Sequence, residues 1–272
     1  MSMKKLLDQI KQQKKADTVK PLEERFLLAL DKYLERIGNM ERPQRLAFNP
    51  SSIYKCQREI WYKLKNIKHS KKNKARNVRI LHVGTQLHEW IQRDVIMAMD
   101  GEDGSPIKMI PLEEIPAYGQ EGIEFIKEHH APPMELKFLD KRHTRLIPIS
   151  AMTDGTIEFD QTYMIFEFKT INPTDFQFMI EPLKNHVKQG AVYSLCLGIP
   201  YVIFVYFCKG TQNWKAYMVQ YTQAQHDWVK AKLSVIEDYY ELDELPPKEQ
   251  SEENCRFCPY KKLCEKDLKQ PD

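Results

Sequence analysis

Two apolar, strand-like runs stand next to each other in the middle of the chain, and each carries charge where a strand rarely tolerates it. The first, Arg145–Phe159, contains Met152-Thr153-Asp154-Gly155-Thr156-Ile157. The second, Tyr163–Ile171, contains Ile165-Phe166-Glu167-Phe168-Lys169-Thr170. Asp160-Gln161-Thr162 between them predicts a tight connection, so the runs pair as neighbours. Taking a charge out of water is costly unless something compensates it. Residues two apart on a strand share a face, which puts Glu167 and Lys169 together, and Asp154 on the neighbouring strand can come alongside. Two carboxylates converging at a partly buried point make a hard-oxygen site suited to Mg²⁺ or Mn²⁺. A lysine beside them can orient or deprotonate a water, or neutralise charge developing on a phosphate. Taken alone, the triplet also describes a structural Glu–Lys pair with Asp154 as a turn residue before Gly155.

Around these runs the apolar spacing alternates between helical and extended periods. Pro21 followed by Phe26, Leu27, Leu30, Tyr33 and Leu34 predicts a helix ending near Gly38. Asn49-Pro50-Ser51-Ser52 is a capping signal before a helical Ile53, Ile60, Trp61 and Leu64. Residues 65–77 lack periodicity and read as an exposed basic loop, and helical spacing returns from about Val78 to Met99. The Gly- and Pro-containing segment 100–134 reads as an insertion with a short helix near 119–129. A strand over Met134–Leu139 precedes the charged runs and carries Glu135, a supporting carboxylate unless its strand exposes it. A helix from Pro173 to Leu197, broken near Pro182, follows them. Then come a hairpin over Tyr201–Cys208 and Trp214–Tyr221 and a helix over Thr222–Leu242. This order predicts a mixed α/β core.

The chain of 272 residues has a net charge of only +3, yet its charge is unevenly spread. Residues 1–80 hold 21 Lys and Arg against 8 Asp and Glu, whereas residues 81–272 hold 20 against 30. A basic first part attracts a polyanion, and an acidic remainder can hold cations; the bland alternative is solvated helix faces. No apolar run approaches the ~20 residues that span a bilayer. The N-terminus, lysine-rich without an apolar stretch or small-residue cleavage site, is unlike a secretory leader. The expectation is a cytoplasmic protein with no membrane partner.

Two further spacings join the carboxylates. Gly84-Thr85-Gln86-Leu87-His88 sets a glycine and a histidine four apart on one helix face, and Gln189-Gly190-Ala191-Val192-Tyr193 does the same for a glutamine and a tyrosine. Over roughly residues 50–265 the ordered series resembles the RecB-like branch of the PD-(D/E)XK nuclease superfamily. The pattern of that branch is a G-x-x-x-H helix, an Asp-Gly strand, a Glu-x-Lys strand and a Q-x-x-x-Y helix. The resemblance implies a restriction-endonuclease-like core, a mixed central sheet flanked by helices, over residues 49–272; the lysine content and helical spacing before it read as a basic helical arm over 1–48. It implies that His88, Asp154, Glu167 and the Phe168 carbonyl bind a divalent metal and that Lys169 assists the attacking water. It also implies that Gln189 and Tyr193 contact the DNA strand near the scissile phosphate.

Of six cysteines, Cys196 and Cys208 sit in apolar surroundings and read as core residues. Cys255, Cys258 and Cys264 form a C-x2-C-x5-C series that lacks the fourth ligand such sites want. Cys56 is the candidate, because Ser52–Tyr62 resembles the N-terminal signature of the iron–sulfur subgroup of the same branch. That subgroup includes AddB-type helicase–nucleases and CRISPR-associated adaptation nucleases. The resemblance implies a [4Fe–4S] lobe joining the two ends of the domain. A zinc ion held by four cysteines, or by three with a histidine, is the alternative.

Arg58 and the basic loop residues Lys71, Lys72, Lys74 and Arg76 are the expected phosphate-backbone contacts, with Trp61 stacking on a base or packing in the core. No helix-turn-helix or zinc-finger pattern points to sequence-specific binding. No G-x-x-x-x-G-K-[ST] phosphate loop is present, so a helicase or recombinase would be a separate chain. The expectation is a DNA exonuclease acting on ends or single strands in recombination, repair or phage DNA metabolism. An adaptation nuclease and a non-catalytic DNA-binding scaffold are the alternatives.

Overall fold

The computed structural model describes residues 20–41, 46–69, 71–126, 134–249 and 252–267. Residues 1–19 of the expected arm and residues 127–133 of the expected insertion lie outside them. The chain divides into two compact units. One is formed by residues 1–42 and 71–83, the other by residues 43–70 and 84–272. Ala47 and Phe48 are buried in the larger unit, where Phe48 bridges Ile149.

The smaller unit contains α1 (Leu22–Gly38), which starts after Pro21 as its spacing predicts. Its apolar residues, among them Leu22, Phe26, Leu27 and Tyr33, are exposed. Asn39 and Asn73 tie its C-terminal end to the basic loop through a pair of reciprocal hydrogen bonds. Arg79 pairs with Asp31.

The larger unit contains two sheets. A five-stranded sheet has the order β1-β5-β6-β7-β8, where β1 is Ile107–Met109, β5 Gly155–Phe159, β6 Thr162–Ile171, β7 Tyr201–Cys208 and β8 Trp214–Gln220. Its pairings are antiparallel except β6 with β7, which makes the sheet mixed. A separate antiparallel sheet joins β2 (Ile123–Ile126), β3 (Leu136–Asp140) and β4 (Ile149–Thr153). Two sequence expectations are corrected here. The run Arg145–Phe159 is two strands in different sheets, parted at Asp154. The helix expected near 119–129 is replaced by β2, whose Ile-Glu-Phe-Ile alternation suits pairing with β3.

The β5–β6 connection is as predicted: Phe159 pairs with Thr162, and Asp160 and Gln161 both take positive φ (49° and 60°), the geometry of a two-residue hairpin loop. Alternation along β6 separates two cores. Met164, Phe166 and Phe168 pack with Ile91, Ile96, Met134, Ile157 and Phe207. Ile165 and Ile171 face the other way, into the core shared with Val202, Phe204, Ala191, Val192 and Leu195.

The helices of this unit are α2 (Gln57–Leu64), α3 (Ala75–Trp90), α4 (Pro173–Phe178), α5 (Lys184–Leu197), α6 (Gln223–Glu241), α7 (Glu252–Phe257) and α8 (Lys261–Asp267). Residues of α3 up to Val83 belong to the smaller unit. After Trp90 it widens into a π-helical stretch, Ile91–Ile96, and ends with Met97–Asp100. The break expected near Pro182 separates α4 from α5. α6 is capped by a reciprocal Thr222–Gln225 box. Its Glu237, 1% exposed, accepts the backbone N–H groups of Arg145, Leu146 and Ile147 and so holds the segment that leads into β4.

The approach of α5 to the sheet requires Gly190. A Cβ there would collide with the Tyr221 hydroxyl and press on the Phe204 ring. Gly190→Ala is expected to lower stability by about 1–3 kcal/mol, read as a lower urea midpoint at unchanged slope.

Candidate active site

Asp154 is positioned by the divergence of the two sheets. β4 ends at Thr153 and β5 begins at Gly155, whose partner on β6 is Phe166. Beyond that point, among the described residues, β6 has no strand on this side, and the Phe168 N–H is taken by Asp154 Oδ2 at 2.7 Å. The other carboxylate oxygen lies 3.2 Å from His88 Nδ1. The His88 ring stands edge-on to Phe168, with centroids 5.1 Å apart. Gly155 fits because it has φ 156° and because a Cβ would press on Met134. Gly84, by contrast, has only Thr170 Oγ1 within 4 Å of such a Cβ, at an ordinary 3.6 Å.

Glu167 and Lys169 share the opposite face of β6, as their spacing predicts. Glu167 is 1% exposed, and Lys169 Nζ donates to its Oε2 at 2.5 Å. The charges shape one another. Burial pushes the Glu167 carboxyl up to about 7; Lys169 opposes this and Asp154 adds to it. Burial works against the Lys169 ammonium, but Glu167 and Asp154 outweigh it and hold Lys169 above the ordinary lysine value. Burial would also raise Asp154, yet His88, Lys169 and the Phe168 N–H prevail and hold its carboxyl below the ordinary range.

Gln189 and Tyr193 stand behind this pair on α5, nearly buried. Gln189 Nε2 donates to the Tyr193 hydroxyl at 2.8 Å, and that hydroxyl donates to the Met152 carbonyl at 2.8 Å. The two residues therefore brace the strand leading into Asp154, which is the contact that their side chains make here.

Sequence reasoning missed Gln92. It is fully buried and donates to the Asp154 carbonyl at 3.0 Å; its place four residues after His88 on one helix was the available signal. Glu135 comes close to the site just before β3. Burial raises its carboxyl, Gln92 opposes that by a hydrogen bond, and Asp154 adds to it. Tyr206, opposite Lys169 on β7, carried no local signal.

Arg58, the expected phosphate contact, lies beside the cysteines. Its Nε donates to the Pro246 carbonyl at 2.6 Å and its Nη1 lies 3.5 Å from Cys264 Sγ, so it works inside the cysteine region. Trp61 and Tyr62 are core residues there, the latter stacked on Tyr260 at 5.0 Å. Lys71, Lys72, Lys74 and Arg76 are exposed on the smaller unit.

Cys56, Cys255, Cys258 and Cys264 line one cavity together with Arg58, Glu59 and Tyr260, and all four are free thiols. Burial, joined by the Glu59 carboxylate, pushes the Cys258 thiol up to about 11. Among the described residues no three His, Cys, Asp or Glu side chains form a ready metal-binding group. What four thiols around one cavity supply is the donor set that an iron–sulfur cluster or zinc requires. Cys196 and Cys208 are core residues, as expected.

Among the described residues no helix is long and apolar enough to cross a membrane. No family model matches the chain, and no curated protein matches it. Solved structures similar to it include SSO0001, at 14% identity and TM-score 0.47, covering 90% of this chain and 96% of that one. LHK-Exo in complex with dAMP is similar at 13% identity and TM-score 0.45, covering 72% and 89%. The alkaline exonuclease LHK-Exo from Laribacter hongkongensis is similar at 12% identity and TM-score 0.45, covering 78% and 93%. Likeness at this level leaves the functional reading to rest on the residues themselves.

The raised Glu167 carboxyl has a consequence for stability. Between the ordinary glutamate value and about 7 the folded state holds a proton that the unfolded chain has released. The contribution of this group is thus fully present at low pH and is lost as pH rises through about 7. With a chelator present, the fall in Tm from about pH 5 to about pH 8 is expected to be shallower in Glu167→Gln than in the parent protein. Parallel Tm profiles would contradict this assignment.

Proposed function

We propose that the chain is a metal-dependent DNA nuclease of the PD-(D/E)XK type, hydrolysing phosphodiester bonds at DNA ends or in single strands. The observation that carries the reading is the meeting of Asp154, Glu167 and Lys169 at the open edge of one strand. All three are withdrawn from water and the carboxylates are in mutual tension. A structural Glu–Lys pair would not need a second buried carboxylate beside it.

Asp154 and Glu167, with His88 and the Phe168 carbonyl, are the residues that would hold Mg²⁺ or Mn²⁺. Such an ion supplies a bound water of lowered pKa and charge stabilisation for the attacking and leaving oxygens. Lys169 holds the attacking water in line with the phosphorus or neutralises charge on a phosphate oxygen. Water's oxygen forms the new P–O bond while the ester P–O bond breaks, and the departing sugar oxygen gains a proton. Gln92, Gln189 and Tyr193 keep the Asp154 segment in place, and DNA near the scissile phosphate passes over the α5 side of the site.

The cysteines have a separate role in this reading. Cys56 lies about 200 residues from the other three, so a [4Fe–4S] cluster, or zinc in its place, closes a long loop and contributes to folding rather than to chemistry. The exposed basic residues Lys71, Lys72, Lys74 and Arg76 attract the phosphate backbone without reading sequence. Unwinding or strand exchange is left to a separate helicase or recombinase.

End-labelled single- and double-stranded DNA, incubated with Mg²⁺ or Mn²⁺, is expected to be cleaved. Chelator abolishes the activity, and Lys169→Ala lowers it by roughly 10²- to 10⁴-fold. Activity that survives Lys169→Ala sinks the assignment. Protein purified without oxygen is expected to be brown, with absorbance at roughly 400 nm that Cys258→Ser removes. A colourless protein containing zinc would replace the cluster with the alternative metal.

A further inference from the structure

Beside Lys169 stands a pair of residues that the nuclease reading leaves unused. In the parallel pairing of β6 and β7, Tyr206 lies directly opposite Lys169. Tyr206 is fully buried, and its hydroxyl accepts the Leu183 N–H at 3.0 Å. The same hydroxyl lies 2.8 Å from His186 Nδ1, with the two rings stacked at 25° and centroids 5.6 Å apart. His186 belongs to the first turn of α5, three residues before Gln189, on the helix that packs over the Glu167 and Lys169 face.

The hydrogen bonding favours one tautomer. A phenol oxygen that already accepts a backbone N–H must place its own proton, and among the described residues His186 Nδ1 is the acceptor it meets. Donation from Tyr206 leaves Nδ1 without a proton, so the neutral imidazole carries its proton on Nε2. Burial, followed by the nearby Lys169 ammonium, pushes His186 down to about 3, so the ring stays neutral. Among the described residues Nε2 makes no hydrogen bond. A neutral donor is also the kind that can stand beside Lys169 without like-charge repulsion.

We propose that His186 is a further substrate-binding residue, donating its Nε2–H to a non-bridging phosphate oxygen of the DNA strand next to Lys169, with Tyr206 as the positioning residue that fixes the tautomer. The assignment rests on the nuclease reading above. It gives the site a neutral contact to the phosphate beside the charged one, on a ring held rigid by stacking and by one hydrogen bond.

Two substitutions separate the functions of the ring. His186→Asn keeps an acceptor for Tyr206 near the Nδ1 position but has no distal donor. His186→Gln carries an amide N–H near the Nε2 position. Binding of a fluorescein-labelled single strand is measured by anisotropy in Ca²⁺, and cleavage of the same strand in Mg²⁺ gives kcat and KM. For His186→Asn the expected result is a Kd and KM raised about tenfold, the loss of one hydrogen bond to a charged group, with Tm close to that of the parent. His186→Gln is expected to recover most of the affinity. If His186 served only to support Tyr206, the order would reverse, with Asn matching the parent and Gln impaired; that order overturns the proposal while leaving the nuclease reading intact. Equal affinity in all three proteins, in a parent that cleaves DNA, overturns it likewise. A parent protein that neither binds nor cleaves any strand, and whose Lys169→Ala form behaves identically, overturns the nuclease reading and this proposal with it.

Discussion

The bond from the Phe168 N–H to the Asp154 carboxylate is the constraint on which the rest of the site depends. It exists because β5 stops opposite Phe166 while β6 continues, so a backbone donor in the middle of the core is left without a strand partner. An unsatisfied buried N–H is costly, and the residue at the parting of the two sheets satisfies it. That same requirement brings a carboxylate within reach of Glu167 and Lys169, which a regular sheet would keep apart. His88, Gln92 and Tyr193 then act on Asp154 or on its strand, each from a different direction.

This arrangement also explains why charge is tolerated there. Glu167 alone, 1% exposed, would be an expensive residue. Lys169 offsets part of its cost, and Asp154 restores part of it, so the group is left with a carboxyl pushed up to about 7. Two buried carboxylates competing for one lysine are poorly suited to be a stability device. On the proposed function, a divalent cation and a phosphate would relieve both kinds of charge together. The cysteine region has its own polar lining: Arg58 and Glu59 stand at its cavity, with Arg58 Nη1 close to Cys264 Sγ.

Much of this was legible in the residues alone, through local periodicity and the cost of burying charge. The shared face of Glu167 and Lys169 follows from a period of two. The hairpin at Asp160-Gln161 and the helices Leu22–Gly38 and Gln223–Glu241 follow from turn chemistry, capping and apolar spacing. The run Arg145–Phe159 reads as one strand because alternation continues through Asp154, whereas hydrogen-bond partners change there. Within the helix expected near 119–129, the described residues Ile123–Ile126 form a strand only by having β3 beside them.

The sequence by itself determined which residue types stand together: two carboxylates and a lysine along neighbouring apolar runs, and three clustered cysteines to which only resemblance added Cys56. Side-chain period and the price of desolvation are local properties, and they survive without knowledge of the fold. Tertiary structure alone decided what those residues touch. Arg58 turns toward Cys264, Tyr193 spends its hydroxyl on Met152, and Tyr206 meets Lys169 only through a parallel pairing between strands that are distant in the chain. Such contacts depend on strand register and on which backbone groups are left unpaired, and neither quantity is written in any short stretch of residues.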